Sequence, residues 1–120
     1  MPTTLAITNS TFSANSANEG GGIYVGAISG TLTINPGGSL TTVAANIASG
    51  ATLATGGSFT ATGTVTVGGI LKGSATGPIV ASGQPVNVIS GGSLDLNGGS
   101  ITASAINNQG LLKGVGTINS

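Results

Sequence analysis

A short unit of strand, glycine pair and strand recurs through this chain and constrains its fold more than any other feature. In the copy at residues 63–73, Thr-Val-Thr-Val is followed by two glycines, Ile-Leu-Lys and a further glycine. Related copies lie at residues 30–40, 52–59, 85–94 and 94–101, and residues 111–118 repeat the second half of the unit. Repetition of one strand-containing unit is typical of solenoids.

The spacing of apolar residues predicts the length of one coil. Three sets recur at intervals of 19 to 22 residues: Phe12, Leu32, Leu53, Ala75, Leu96 and Ile118; Ile23, Val43, Val65, Val86 and Ile106; and Leu40, Phe59, Val80 and Ile101. We therefore predict an all-β parallel β-helix (β-solenoid) of five to six rungs, each of roughly 21 residues with three short faces. Its buried core should include Phe12, Leu32, Leu53, Val65, Val86, Leu96 and Ile106.

Composition agrees with a stacked β-structure rather than with disorder. Charged residues make up 3% of the chain, whereas ordinary domains have about 25%. Disordered chains combine low hydrophobicity with high net charge, but this chain is 38% hydrophobic with a formal net charge of zero. Asparagine tolerates the left-handed backbone that a sharp corner requires and can bond to the same amide one rung away. We expect corner positions at Asn35, Asn46, Asn87, Asn97 and Asn107.

The same composition excludes several classes of partner. Two lysines and no arginine cannot supply the phosphate-neutralising surface that nucleic-acid binding needs. The absence of cysteine excludes disulfides and thiolate metal sites. No apolar run approaches the ~20 residues of a membrane-spanning helix, so we expect no membrane insertion.

Catalysis is also not expected. Glu19 and Asp95 are the only carboxylates, and 76 positions separate them, which is three to four rungs and beyond the spacing of a glycosidase pair. Without histidine or cysteine the chain has no common nucleophile–base pair. We predict no enzyme activity, no cofactor and no metal. Lys72 and Asp95, 23 positions apart, should form a stacked surface pair.

The N-terminal quarter resembles a known family. The sequence Ser10-Thr-Phe-Ser-Ala-Asn15, followed by Gly20-Gly-Gly-Ile-Tyr24, is similar to the Phe-x-x-Asn and Gly-Gly-Ala-Ile signatures of polymorphic outer-membrane-protein repeats, with Gly22 in place of alanine. The remainder is similar to autotransporter passenger domains of bacterial surface proteins. The resemblance implies a secreted, right-handed parallel β-helix that acts in adhesion or as a surface stalk.

Two functions of different classes follow from these observations. The first is a structural, extracellular or cell-surface solenoid subunit that stacks head-to-tail into a fibre or stalk. The alternative is an adhesin segment that binds a host surface or glycan. Tyr24 is nearly the only residue of the kind that forms binding hot spots, which favours the structural function. Residues 1–120 should form one solenoid domain, either a complete unit or a segment of a longer solenoid.

Self-association is predicted from the two ends of the repeat. A solenoid leaves unpaired backbone groups at each end unless a polar cap covers them, and neither end resembles a cap. We expect the last strand of one subunit to pair with the first strand of the next. The terminal residues involved would be Thr3, Thr4, Leu5, Ala6, Ile7, Val115, Gly116, Thr117 and Ile118.

Overall fold

The protein is described by a computed structural model that covers residues 3–7, 30–42 and 44–120. These residues form fifteen short β-strands and contain no helix. The strands are β1 (Thr3–Ile7), β2 (Gly30–Ile34), β3 (Ser39–Thr42), β4 (Ala45–Ile47), β5 (Ala51–Thr55), β6 (Ser58–Ala61), β7 (Val65–Val67), β8 (Ile70–Lys72), β9 (Ile79–Ala81), β10 (Pro85–Val88), β11 (Ser93–Asp95), β12 (Ser100–Thr102), β13 (Ala105–Asn108), β14 (Leu111–Lys113) and β15 (Thr117–Asn119).

The strands belong to three parallel sheets that the chain visits in a fixed cycle. Sheet A has the order β1-β2-β5-β8-β11-β14, sheet B the order β13-β10-β7-β4, and sheet C the order β15-β12-β9-β6-β3. From β2 onward the chain runs from sheet A to sheet C to sheet B and back to sheet A. Each strand therefore pairs with its counterpart one turn away, and the predicted β-solenoid is confirmed, with about four turns in the part described.

The number of residues in a rung is not constant along the chain. The step from Leu53 to its partner Leu71 is shorter than the predicted rung, whereas the step from Leu71 to its partner Leu94 is longer. The shortest step among the described strand pairs joins Ser100 to Thr117. Loops between strands absorb these differences, because only the strands must keep their register.

Each sheet contributes at least one column of apolar residues to the core between the sheets, and sheet B adds a second, formed by Ile47, Val67 and Val88. The column of sheet A consists of Leu32, Leu53, Leu71, Leu94 and Leu112, and Leu5 holds the equivalent register position on β1. Sheet C contributes Leu40, Phe59, Ile79, Ile101 and Ile118, and sheet B contributes Ala45, Val65, Val86 and Ile106. In strands such as β5 and β7, alternate residues are buried in this core, which explains the alternating apolar pattern.

Most predicted core residues are buried. Leu32, Leu53, Val65, Val86 and Leu96 are buried, whereas Ile106 is only partly buried because sheet B ends at its strand. Three further members of the predicted columns, Phe12, Ile23 and Val43, lie outside the described residues.

The predicted column is nevertheless wrong for several residues. A constant interval of about 21 residues no longer reaches the equivalent position once a rung is shorter or longer than that. Ala75 is exposed in the loop before β9, and Ile118 belongs to the sheet C column. Ile79, and not Val80, continues the column of Phe59, because a shift of one residue moves a side chain to the other face of a strand. Leu71 takes the place predicted for Ala75, and Leu94 the place predicted for Leu96.

The two glycines of a pair have different roles, as Gly91 and Gly92 illustrate. Gly91 has a φ of +87°, and no heavy atom lies within 4 Å of the place that a Cβ would take, so its role is to turn the chain. Gly92 is buried, and a Cβ there would collide with the carbonyl oxygen of Val67 in the preceding rung. The pair therefore marks a corner where the backbones of successive rungs touch.

The prediction of asparagine corners is correct at two positions and wrong at three. Asn97 lies at a corner with a φ of +45°. Asn35 begins a tight turn, in which its carbonyl oxygen accepts a hydrogen bond from the Gly38 amide at 2.9 Å. Asn46, Asn87 and Asn107 instead lie within strands of sheet B, where they share one register column with Thr66. These three follow the period-2 alternation of a strand, which places them on its outer side opposite the core residues.

Candidate functional site

Three of the four charged residues of the chain lie in one column on the outer side of sheet A. Lys72, Asp95 and Lys113 occupy matching positions on β8, β11 and β14. The predicted stacking of Lys72 beside Asp95 is therefore confirmed, and the ion pair forms with Lys113, whose Nζ is 4.0 Å from Asp95 Oδ2. Alternation of sign along the column avoids the repulsion that like charges would have in neighbouring rungs.

A cluster of hydroxyl groups lies at the loop between β8 and β9. Thr55 is buried, and its Oγ1 lies 3.2 Å and 3.3 Å from the carbonyl oxygens of Lys72 and Gly77. Ser74 Oγ donates to the Thr55 carbonyl (2.8 Å), and Thr76 Oγ1 donates to the Gly56 carbonyl (2.8 Å). Since these hydroxyls donate hydrogen bonds to backbone carbonyls, they hold the loop in place.

Sheet B carries an uncharged polar strip on its outer side. Asn107 Nδ2 donates to Asn87 Oδ1 at 2.8 Å, which is the predicted bond between equivalent amides one rung apart. Beside this pair is an open groove with a volume of about 570 Å³. The residues that line it are Thr66, Asn87, Val88, Ile89, Asn107 and Gln109. The groove offers amide and hydroxyl groups and one exposed aliphatic side chain, which suits a neutral polar ligand.

The last rung, formed by β13, β14 and β15, is an uncovered end of the core. Its column residues Ile106, Leu112 and Ile118 pair in register with residues of the preceding rung, which are Val86, Leu94 and Ile101. Leu94 and Ile101 are fully buried, whereas Leu112 is 38% exposed and Ile118 is 43% exposed. This end of the solenoid therefore presents leucine and isoleucine side chains beside three strand edges.

The terminal residues predicted to associate lie in two different sheets. Thr3, Thr4, Leu5, Ala6 and Ile7 form β1 at one edge of sheet A. Thr117 and Ile118 lie in β15, at an edge of sheet C, while Val115 and Gly116 lie in the connection that precedes it. The predicted set leaves out β14, which forms the opposite edge of sheet A, although residues 111–118 repeat the second half of the sequence unit.

Several predicted features lie outside the described residues. These are Glu19 and the residues that carry the family resemblance, 10–15 and 20–24. In the part of the chain that the structure describes, there is no group of three histidine, cysteine, aspartate or glutamate side chains that could hold a metal ion. No helix among the described residues is long and apolar enough to cross a membrane.

Comparison of the chain with family models, with curated proteins and with solved structures gave no match. The fold itself defines the class of protein as a parallel β-solenoid with three sheets.

Proposed function

We propose that this chain is a structural β-solenoid module of an extracellular or cell-surface fibre or stalk, which stacks head-to-tail with other copies and has no catalytic role. The observation that carries the proposal is the uncovered last rung, where Leu112 and Ile118 continue buried columns but stay exposed. Covering these side chains with another rung would remove their apolar surface from water, and each Å² buried stabilises the assembly by about 25 cal/mol.

Charge and backbone support the same arrangement. The formal net charge is zero, so no long-range repulsion opposes the approach of two copies. An uncovered strand also presents unpaired N–H and C=O groups that a further parallel strand can satisfy. A contact between two different ends does not close on itself, so it propagates into a filament. The extracellular location rests on the low charge and on the resemblance to bacterial surface repeats.

Sedimentation velocity over a concentration series, combined with negative-stain microscopy, tests this proposal. We expect the average mass to rise with concentration and unbranched filaments to form at micromolar concentration. A monomer whose sedimentation is unchanged across the series would overturn the proposal.

The groove on sheet B supports a second candidate function, recognition of a neutral glycan by an adhesin segment. Asn87, Asn107 and Gln109 provide amide donors and acceptors for sugar hydroxyls, and Ile89 provides an apolar contact. Binding to a panel of neutral oligosaccharides, measured with the parent and with Gln109→Ala, tests this candidate. Binding that the substitution weakens would support it, whereas equal binding by both proteins, or no binding, would exclude this groove.

A further inference from the structure

Sheet A is the feature that determines how two copies would meet. It runs from β1 at one edge to β14 at the other, and every strand pair within it is parallel. Its central column has leucine at all six register positions, from Leu5 in β1 to Leu112 in β14. The two edges therefore carry the same residue type at equivalent positions.

We propose that β1 of one copy adds as a parallel strand to β14 of the next, with Leu5 opposite Leu112, so that sheet A and its leucine column continue across the junction. This inference rests on the proposed head-to-tail association and specifies its register. It replaces pairing between the first and last strands of the chain. The last strand, β15, belongs to sheet C, so β1 could lie over it only if the second copy were rotated by one sheet about the solenoid axis.

The leucine column fixes the register along the strand. A shift of one residue would exchange the two faces of β1 relative to those of β14, because side chains alternate between faces. A shift of two residues would place Leu5 opposite Gly110 or Gly114 and leave Leu112 without a leucine neighbour. With Leu5 opposite Leu112, Thr4 is opposite Leu111 and Ala6 is opposite Lys113.

The column of charged residues on sheet A (Lys72, Asp95 and Lys113), here called the charge column, is compatible with this register. Lys113 is already 4.0 Å from Asp95 in its own copy, and Ala6 in the second copy brings no like charge to it. The next two positions along the column are Thr33 and Ala54. Lys72 of the second copy would lie four strand spacings from Lys113, or about 19 Å, which exceeds the Debye length of about 8 Å at physiological ionic strength.

Cysteine pairs test the register directly, since the natural chain contains no cysteine. Neighbouring strands lie about 4.8 Å apart, within the Cα separation that a disulfide bridges. The double variant Thr4→Cys/Leu111→Cys places its two thiols opposite each other in the proposed junction. Thr4→Cys/Lys113→Cys is the matched control, displaced by two residues, or about 7 Å, along the same strand. Thr4→Cys/Thr117→Cys reports pairing with the last strand, because Thr117 precedes the column residue Ile118 as Thr4 precedes Leu5.

After mild oxidation, we expect a ladder of disulfide-linked dimers, trimers and longer species from the Thr4/Leu111 variant, and at least tenfold less from the other two. Equal or greater cross-linking in either of the other variants would overturn the register. If the parent protein shows no self-association by sedimentation, the proposed function itself fails. If the parent associates but the Thr4/Leu111 variant forms no ladder, only this inference fails.

A second measurement does not depend on cross-linking. Leu112→Asp puts a charge into the junction, and we expect the association constant to fall about 30-fold or more, as for the loss of a binding hot spot. The control is Ile70→Asp, on the same sheet with 41% exposure but in the middle of the solenoid. Association should be unchanged in this control. Equal effects of the two substitutions would overturn the proposed junction.

Discussion

The covered rungs and the last rung have closely similar sequences but very different environments. Leu94 and Leu112 are adjacent in one column, yet Leu94 is fully buried and Leu112 is 38% exposed. Ile101 and Ile118 differ in the same way in sheet C. A column residue of this protein is fully buried only when a rung packs on both sides of it, because its own rung is a single layer of backbone.

The difference between these regions shows how much of the stability of a rung comes from its neighbouring rungs. A covered rung gains apolar contacts and backbone hydrogen bonds on both of its sides, whereas the last rung gains them on one side. Substitutions at equivalent positions should therefore have unequal costs, and the inequality measures the contribution of the missing neighbour.

A buried charge should distinguish the two regions most strongly. Leu53→Asp would leave an unpaired carboxylate within the leucine column, at a cost comparable with the entire ~5–15 kcal/mol stability of a typical domain. We expect this variant to be insoluble or sensitive to protease. Leu112→Asp should keep a β-rich circular dichroism spectrum, because its carboxylate can reach water. A soluble, protease-resistant Leu53→Asp protein would contradict the assigned core.

Removal of apolar volume should give a smaller difference within one column. Ile101→Ala leaves a cavity between two rungs and should lower the free energy of unfolding by about 2–5 kcal/mol. Ile118→Ala removes atoms that are already partly solvated, so we expect a loss of about 1 kcal/mol or less. Urea unfolding at low protein concentration, where stacking does not contribute, provides the measurement. Equal losses would show that the last rung is as well packed as the others.

The glycines that touch the preceding rung allow a third comparison. A Cβ on Gly92 would collide with the Val67 carbonyl oxygen, and a Cβ on Gly110 would collide with the Gly92 carbonyl oxygen. Gly92→Ala should cost about 1–3 kcal/mol because rungs on both sides restrict relaxation. Gly110→Ala should cost less than half as much, because the last rung can move away. Thermal unfolding of the two variants measures both losses of stability. A larger loss for Gly110→Ala than for Gly92→Ala would contradict this prediction.

The charge column should give the smallest effect. Lys113 is paired with Asp95 across a 4.0 Å gap at a largely exposed position, so Lys113→Met should change the free energy of unfolding by less than about 1 kcal/mol. Any loss should shrink as salt is added. Lys72→Met, at the register position on the other side of Asp95, serves as the control. A large, salt-independent loss for Lys113→Met would mean that the side chain stabilises the rung by packing.

Much of the fold could be predicted from the repeated strand–glycine–strand unit. Alternation of apolar and polar residues specified strands, and the paired glycines specified corners, because both are local properties of the backbone. The pairing of Leu32 with Leu53 and that of Val65 with Val86 were also identified correctly, since the rungs that join these residues have the assumed length.

The sequence alone therefore determined that the chain is a three-faced β-solenoid and which residue types fill its core. The tertiary structure decided the register, because a loop can gain or lose several residues without disturbing the strands that it connects. It also decided that the first and last strands lie in different sheets and that β14 forms the edge opposite β1. Both results depend on the sum of all rung lengths along the chain, a quantity that no local pattern of residues records.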